Sequence, residues 1–296
     1  MFLESRSGGL SLYATGRNDF GQLGLGDTAD RNTFPFVGSG YTAIAAGDFH
    51  SLALKGTDLY ATGRNGFGQL GLGDTTDRNT FTFVGSGYTA IAIGDSYSLA
   101  LKGTDLYATG WNSQGQLGLG DTADRNTFTF VGSGYTAIAV GAYHSLALKG
   151  TDLYATGSTD FLVLGGTYGG NTFTVVGSGY TAIAAGDYHS FALKGTDLYA
   201  AGSNGFAAGS NGYGQLGLGD TADRNTFTVV GSGYTAIAAG TFHSLALKGT
   251  DLYATGYNGF GELGLGDNAG RNTFPFVGSG YTAIAAGDFH SLALKA

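Results

Sequence analysis

Short apolar runs separated by glycine-bearing turns recur along the chain at a period of 47 residues. The first full copy, residues 12–58, reads LYATGRNDFGQLGLGDTADRNTFPFVGSGYTAIAAGDFHSLALKGTD. It holds four such runs, LYAT, TFPFV, YTAIAA and HSLALK. None carries a 3.6-residue stripe long enough for a helix, so each run predicts a strand. Successive residues within a run are apolar, as at Leu52, Ala53 and Leu54, where a half-exposed strand would alternate. Both faces of such a strand need cover that one small sheet cannot supply, whereas neighbouring copies packed radially can. The pattern predicts an all-β protein, a six-bladed β-propeller with four antiparallel strands per blade, from copies at 12–58, 59–105, 106–152, 153–197, 198–251 and 252–296.

Small side chains and prolines suggest the order of strands within a blade. Ala43, Ala45 and Ala46 suit a crowded inner radius. Pro35 and its equivalent Pro275 lack the amide proton a central strand would donate, which puts TFPFV at the outer edge. The chain starts with LYAT and TFPFV runs and ends with YTAIAA and HSLALK runs. The termini are therefore expected to share the closing blade, with Gly9 and Lys295 as the two sides of a cut KGTD turn, in one domain over 1–296.

The segments NDFGQLGLGD (18–27) and AAGDFHSLAL (45–54) closely resemble the repeat of the regulator of chromosome condensation family, which pairs a GQLG-type loop with a G-x-x-H-S-x-x-L turn. The resemblance covers nearly the whole chain. It implies a β-propeller whose blades run, from the inside out, YTAIAA, HSLALK, LYAT, TFPFV. Members usually have seven blades, against six units here. The resemblance also implies a protein-binding platform, as in an exchange factor for a small nuclear GTPase, bacterial β-lactamase inhibitors and a plant ultraviolet receptor. The receptor depends on clustered tryptophans, whereas this chain has only Trp111, and the exchange factor uses a projecting wedge, whereas the longest insertion here is seven residues. No individual functional residue carries over, because what matches is the structural motif.

Composition narrows the partners. The 56 glycines recur at fixed turn positions, which gives them a structural role. Absence of cysteine excludes disulfides, thiol catalysis and Cys-based zinc sites. With 14 basic against 22 acidic residues, a net charge of −8 and no basic stripe, nucleic acid is not expected as a partner. No apolar stretch reaches the ~18 residues of a spanning helix, and MFLESRSGG lacks the features of a secretory signal, so no membrane partner is expected. The compartment is left open.

Candidate chemistry is sparse. His50, His144, His189, His243 and His290 occupy one repeat position, which Tyr97 fills in the second copy. Blades hold equivalent positions about 10 Å apart, too far to share a metal with ligands at ~2 Å, so each histidine is expected to hydrogen-bond within its own turn. Asp48, His50 and Ser51 are too close along one tight turn to form a triad. Asp27, Asp30 and Asn32 supply too few oxygens for calcium and are expected to cap their loop, with Asp30 pairing an Arg31 equivalent on a neighbouring blade. GQLGLG mimics a phosphate loop but lacks the strand-to-helix context. The expectation is no enzyme, with no catalytic residue, metal or cofactor.

Variation among copies is one-sided. The KGTD turn and VGSGY connection, on one rim, are identical in every internal copy. On the other rim the position of Arg17 becomes Arg64, Trp111, Ser158, Ser203 and Tyr257; the residue before the histidine reads Phe49, Ser96, Tyr143, Tyr188, Phe242 and Phe289; and Phe20 becomes Gln114. Both length changes, in 161–170 and a seven-residue duplication near 203–209, fall there too. Because Arg, Trp, Tyr and Phe are the usual interface anchors, this rim is expected to bind another protein through Arg17, Phe20, Phe49, Arg64, Tyr97, Trp111, Tyr143, Tyr188 and Tyr257. Drift in weakly constrained loops would give the same variation. The alternatives are a glycan-binding propeller using Asp27 and Asn32 equivalents once per blade, and a recently amplified or engineered scaffold without a dedicated function. The chain is expected to be a monomer.

Overall fold

The computed structural model describes residues 10–158, 170–202, 213–287 and 290–295, which are strand, turn and loop with no helix among them. The chain divides into two compact units, 1–113 with 122–135, and 114–121 with 136–296. In the first unit, β1 (Leu10–Tyr13) pairs with β2 (Phe36–Tyr41). A four-stranded sheet follows, β3 (Ala43–Ala46), β4 (His50–Lys55), β5 (Asp58–Gly63) and β6 (Arg78–Gly85), and then a second, β7 (Ala90–Ile93), β8 (Tyr97–Lys102), β9 (Asp105–Gly110) and β10 (Arg125–Gly132).

The second unit repeats this in β11 (Ala137–Val140), β12 (His144–Lys149), β13 (Asp152–Gly157) and β14 (Gly170–Gly177). The next sheet is β15 (Ala182–Ala185), β16 (His189–Lys194), β17 (Asp197–Gly202) and β18 (Arg224–Gly231). The last complete one is β19 (Ala236–Ala239), β20 (His243–Lys248), β21 (Asp251–Gly256) and β22 (Phe276–Gly278), after which β23 (Tyr281–Ala286) pairs with β24 (Ser291–Lys295). Each of the five four-stranded sheets is an antiparallel meander in the order expected from sequence, with the alanine-rich strand at one edge and the phenylalanine- or valine-bearing strand at the other.

Local chemistry sets these elements. The β4–β5 hairpin closes with Lys55 opposite Asp58, and Gly56 at φ +59 supplies the left-handed residue its two-residue loop needs. Strands β2 and β22 begin only after Pro35 and Pro275, whereas β6 starts at Arg78, because proline has no amide proton for the ladder. Cover comes from the neighbouring blade. Leu52, Leu54, Leu59 and Ala61 form one cluster with Ala100, Ile91 and Ile93 of the following sheet, which explains why runs apolar on both faces are tolerated. Burying each such leucine contributes about 1.5–3 kcal/mol.

The GQLGLGD loop fastens each copy to the next. Gly24, at φ +70, lies where a Cβ would meet the Phe81 ring at 2.5 Å; Thr62 Oγ1 donates to Gly21 O at 2.8 Å; and Asn79 Nδ2 donates to Gly26 O at 2.9 Å. These glycines serve close packing, which answers the phosphate-loop mimicry.

The strands expected to share a closing blade form two two-stranded sheets, β1–β2 in the first unit and β23–β24 in the second, and among the described residues no ladder joins them. Gly9, the loop over 161–169, the duplication at 203–209 and Phe289 lie outside the described residues.

Candidate protein-binding rim

A buried asparagine, Asn18, Asn65, Asn112 or Asn258, organises the long loop of the first, second, third and sixth copies. Asn18 Nδ2 donates to Asp27 O at 3.0 Å and Ala29 O at 3.1 Å, its Oδ1 accepts from Leu23 N at 2.9 Å, and its backbone N–H donates to Asp30 Oδ1 at 2.8 Å. Arg31 reaches Asp27 Oδ2 at 2.5 Å, as Arg78 reaches Asp74 and Arg271 reaches Asp267, both at 2.7 Å. The guanidinium hydrogen bond holds the Asp27, Asp74 and Asp267 carboxyls below their ordinary range. The expected pairing of Asp30 with an arginine of another blade is not what forms: Arg31 turns to Asp27 in its own loop, four residues away, and Asp30 caps Asn18. No group of three or more metal-ligating side chains converges among the described residues.

The histidines also differ from expectation. They bond to the next blade, not within their own turn. His50 Nε2 lies 2.9 Å from Ser98 Oγ, His144 Nε2 2.8 Å from Ser190 Oγ, His189 Nε2 2.8 Å from Ser244 Oγ and His243 Nε2 2.8 Å from Ser291 Oγ. Ser98 and Ser244 in turn donate to the Gln69 and Gln215 carbonyls, both at 2.9 Å, so His50 and His189 must donate through Nε2–H. Complete burial pushes His50 and His189 down to about 3 and His144 to about 4, which keeps the rings neutral. They are structural pins between blades.

Directly above the pins, the side chains that vary among copies gather. In the first unit Arg17 lies over the Phe49 ring at 5.6 Å and is paired with Asp19 at 2.5 Å. Arg64 lies over three rings, Phe20 at 5.3 Å, Phe49 at 5.6 Å and Phe67 at 5.8 Å, and has no ion pair among the described residues. Phe20 packs edge-on against Phe49 at 5.4 Å, and Phe67 meets Trp111 at 6.1 Å.

A second row lies in the second unit. Tyr143 meets Tyr188 at 6.2 Å, Tyr188 stacks on Phe242 at 6.0 Å, Phe242 meets Tyr213 at 5.5 Å, Tyr213 meets Tyr257 at 4.9 Å and Tyr257 meets Phe260 at 6.1 Å. All are half-buried except Phe260, which is exposed.

Eight of the nine residues expected at this rim fall in these two rows. Tyr97 does not. It takes the inward histidine position on β8 and is fully buried, so it cannot touch a partner. Sequence reasoning omitted Phe67, Tyr213, Phe242 and Phe260 from the rim, although Phe67, Tyr213 and Phe260 share the repeat position of Phe20, and Phe242 that of Phe49.

The repeat matches the regulator of chromosome condensation (RCC1) repeat model over residues 11–54 and 105–148, and a second model of the same repeat over 41–69. No curated protein matches the chain. Among solved structures, human WBSCR16 superposes with a TM-score of 0.83 at 20% identity over 96% of this chain and 81% of its own. Yeast RCC1 (Prp20), solved bound to Kap60, gives 0.83 at 22% identity over 97% and 77%. Prp20p from Saccharomyces cerevisiae, reported with its binding properties to Gsp1p and histones, gives 0.66 at 18% over 99% and 92%. The chain carries RCC1 repeats, and its sheets are blades of an RCC1-type β-propeller.

Proposed function

We propose that this chain is a non-enzymatic protein-binding module that grips its partner with the variable loop rim. The supporting observation is the gathering of arginine and aromatic side chains into rows on the variable loops. Such side chains offer large, rigid contact area at low entropic cost and dominate interface energetics. The likeness to RCC1 repeats, whose proteins are generally binders or exchange regulators, and to a yeast RCC1 captured with Kap60, supports a protein as the partner class.

Glycan binding once per blade has less support. Its proposed Asp27 and Asn32 equivalents are engaged in the fold: Asp27 with Arg31, and Asn79, Asn126, Asn171 and Asn272 with carbonyls of the preceding loop. The test is an affinity pull-down from native-source lysate and secretions, comparing the intact chain with a Trp111→Ala/Tyr143→Ala/Tyr257→Ala variant. A protein recovered only by the intact chain, and then bound as a purified protein in calorimetry, is the expected result. Equal recovery by both forms sinks the rim reading and sends the chain to glycan arrays.

A further inference from the structure

Arg17 and Arg64 occupy the same repeat position in the first unit, yet only Arg17 has an anion. Arg17 Nε donates to Asp19 Oδ2 at 2.5 Å, two residues along the chain. In the second copy glycine replaces that aspartate: Gly66 stands at the position of Asp19, and a Cβ built on it would lie 4.0 Å from Arg64 Nε. Carboxylates of the same loop are taken as well. Asp74 accepts from Arg78 at 2.7 Å, and Asp77 accepts from the Asn65 backbone N–H at 2.7 Å.

The unpaired guanidinium is nonetheless held in place. Its central carbon lies within 5.3–5.8 Å of the Phe20, Phe49 and Phe67 ring centres, and the side chain is half-buried. Stacking on rings fixes the plane of the N–H fork, so part of the ordering entropy that usually offsets an exposed ion pair is lost before any anion arrives. Beside Arg64 the surface opens into a recess of about 310 Å³ lined by Gly66, Phe67, Thr75, Asp124, Arg125 and Asn126. Asp124 accepts from the Asn112 N–H at 2.8 Å, Arg125 donates to the Ala123 carbonyl at 2.6 Å and Asn126 to the Gly73 carbonyl at 3.0 Å. The Phe67 ring is then the wall that an apolar group can meet.

We propose that Arg64 is a carboxylate anchor: it receives an Asp or Glu side chain from an acidic segment of the partner in a bidentate fork, with an apolar neighbour of that residue seated against Phe67. The inference rests on the reading of the variable rim as a protein-binding surface. Charge complementarity selects the occupant, because a planar fork without its own anion matches a carboxylate, whereas a basic segment gains nothing there. The chain's net charge of −8 repels acidic segments at long range, so recognition falls to this short-range pair.

Gly66→Asp is the decisive variant, because it writes into the second copy the ion pair that the first copy carries. Gly66 is exposed, its φ lies outside the left-handed region, and Asp19 and Ser113 hold the same position in the adjoining copies, so the fold has room for the side chain. A random heptapeptide library displayed on phage is panned on the intact chain, and enriched peptides are synthesised with blocked ends, which removes the terminal carboxylate as a substitute. The expected peptides carry Asp or Glu beside an aromatic or aliphatic residue and shift the Arg64 Nε–Hε resonance in NMR spectra. Calorimetry should show binding weakened about ten-fold or more by Gly66→Asp, by Arg64→Gln, or by exchanging the peptide's acid for its amide, with the urea midpoints of both variants kept. Peptides without an acidic residue, peptides that bind Gly66→Asp as tightly as the intact chain, or no enriched peptide would overturn the anchor. Peptides that ignore Gly66→Asp but are lost on Trp111→Ala/Tyr143→Ala/Tyr257→Ala would discard the anchor and keep the rim; binding that survives every variant would discard both.

Discussion

The two rims are built from the same repeats, yet one engages its side chains within the fold and the other holds many at the surface. On the KGTD rim, Lys55 Nζ lies 4.4 Å from the Tyr41 ring and 5.4 Å from Tyr60, and Lys102 and Lys248 sit likewise at 4.2 Å over Tyr88 and 4.3 Å over Tyr234. Ser86 donates to Asp58 at 2.6 Å, and Tyr88 N–H to Thr57 O at 2.9 Å. Every letter of KGTD and SGY has a task inside the fold, and that alone accounts for its invariance. On the opposite rim, asparagine, glutamine and aspartate hold the loops, and the aromatic positions can change without breaking that frame. Invariance in this chain marks self-contact; variation marks the surface left over.

The largest way to test the contrast is acid, because the pins beneath the aromatic rim are histidines. With folded-state values of about 3 to 4, His50, His144 and His189 take up protons far more readily in the unfolded chain, near pH 6.5. Their contribution is therefore complete above about pH 6.5 and is lost as pH falls toward the folded-state values, at up to about 1.4 kcal/mol per pH unit for each ring. Three rings together remove about 4 kcal/mol per unit, enough to exhaust a typical stability of about 5–15 kcal/mol before pH 3. Circular dichroism against pH should show cooperative unfolding above pH 3; a native spectrum at pH 3 would contradict the pinning role.

Next in size is the pin itself. Ser98→Ala leaves the buried His50 N–H without an acceptor and the Gln69 carbonyl without its hydroxyl donor, and is expected to cost about 1–3 kcal/mol in urea unfolding. Lys102→Met, on the KGTD rim, keeps the apolar stem and removes only the cation over Tyr88 and Tyr107, a loss of about 0.5–1 kcal/mol with partner binding unchanged. If Lys102→Met instead abolished binding at intact stability, the division between the rims would be wrong.

How much of this could be read in the sequence depended on how local the cause was. Strands, turns and their order were legible because glycine, proline and runs such as Leu52–Leu54 act within a few residues. The histidine partners were not legible from the turn, since Ser98 and Ser190 lie 48 and 46 residues away, although the serine follows every histidine position in the same repeat. At the rim, the varying positions were readable as columns, but naming single examples dropped Phe67 and Tyr213, which share the column of Phe20. Tyr97 was misplaced because it stands in the histidine column, whose side chains point inward. That the first and last sheets hold two strands each was legible, since the sequence starts with LYAT and TFPFV runs and ends with YTAIAA and HSLALK runs.

The smallest expected effect on stability is the most informative about the aromatic rim. Arg17 is paired with Asp19, but both side chains are more than half exposed, at 61% and 51%, and its other contact is the Phe49 ring. An exposed ion pair contributes about 0–1 kcal/mol, so Arg17→Ala should shift the urea midpoint by an amount equivalent to no more than about 0.5 kcal/mol. If the rim holds a partner, the same substitution removes a cation from the contact surface and should weaken the purified complex about five-fold or more, a change of about 1 kcal/mol or greater. Loss of binding without loss of stability is the signature of a residue retained for something outside the chain. Stability lost in step with binding would mean that Arg17, like Lys102, is engaged inside the fold, and the two rims would then differ in sequence but not in purpose.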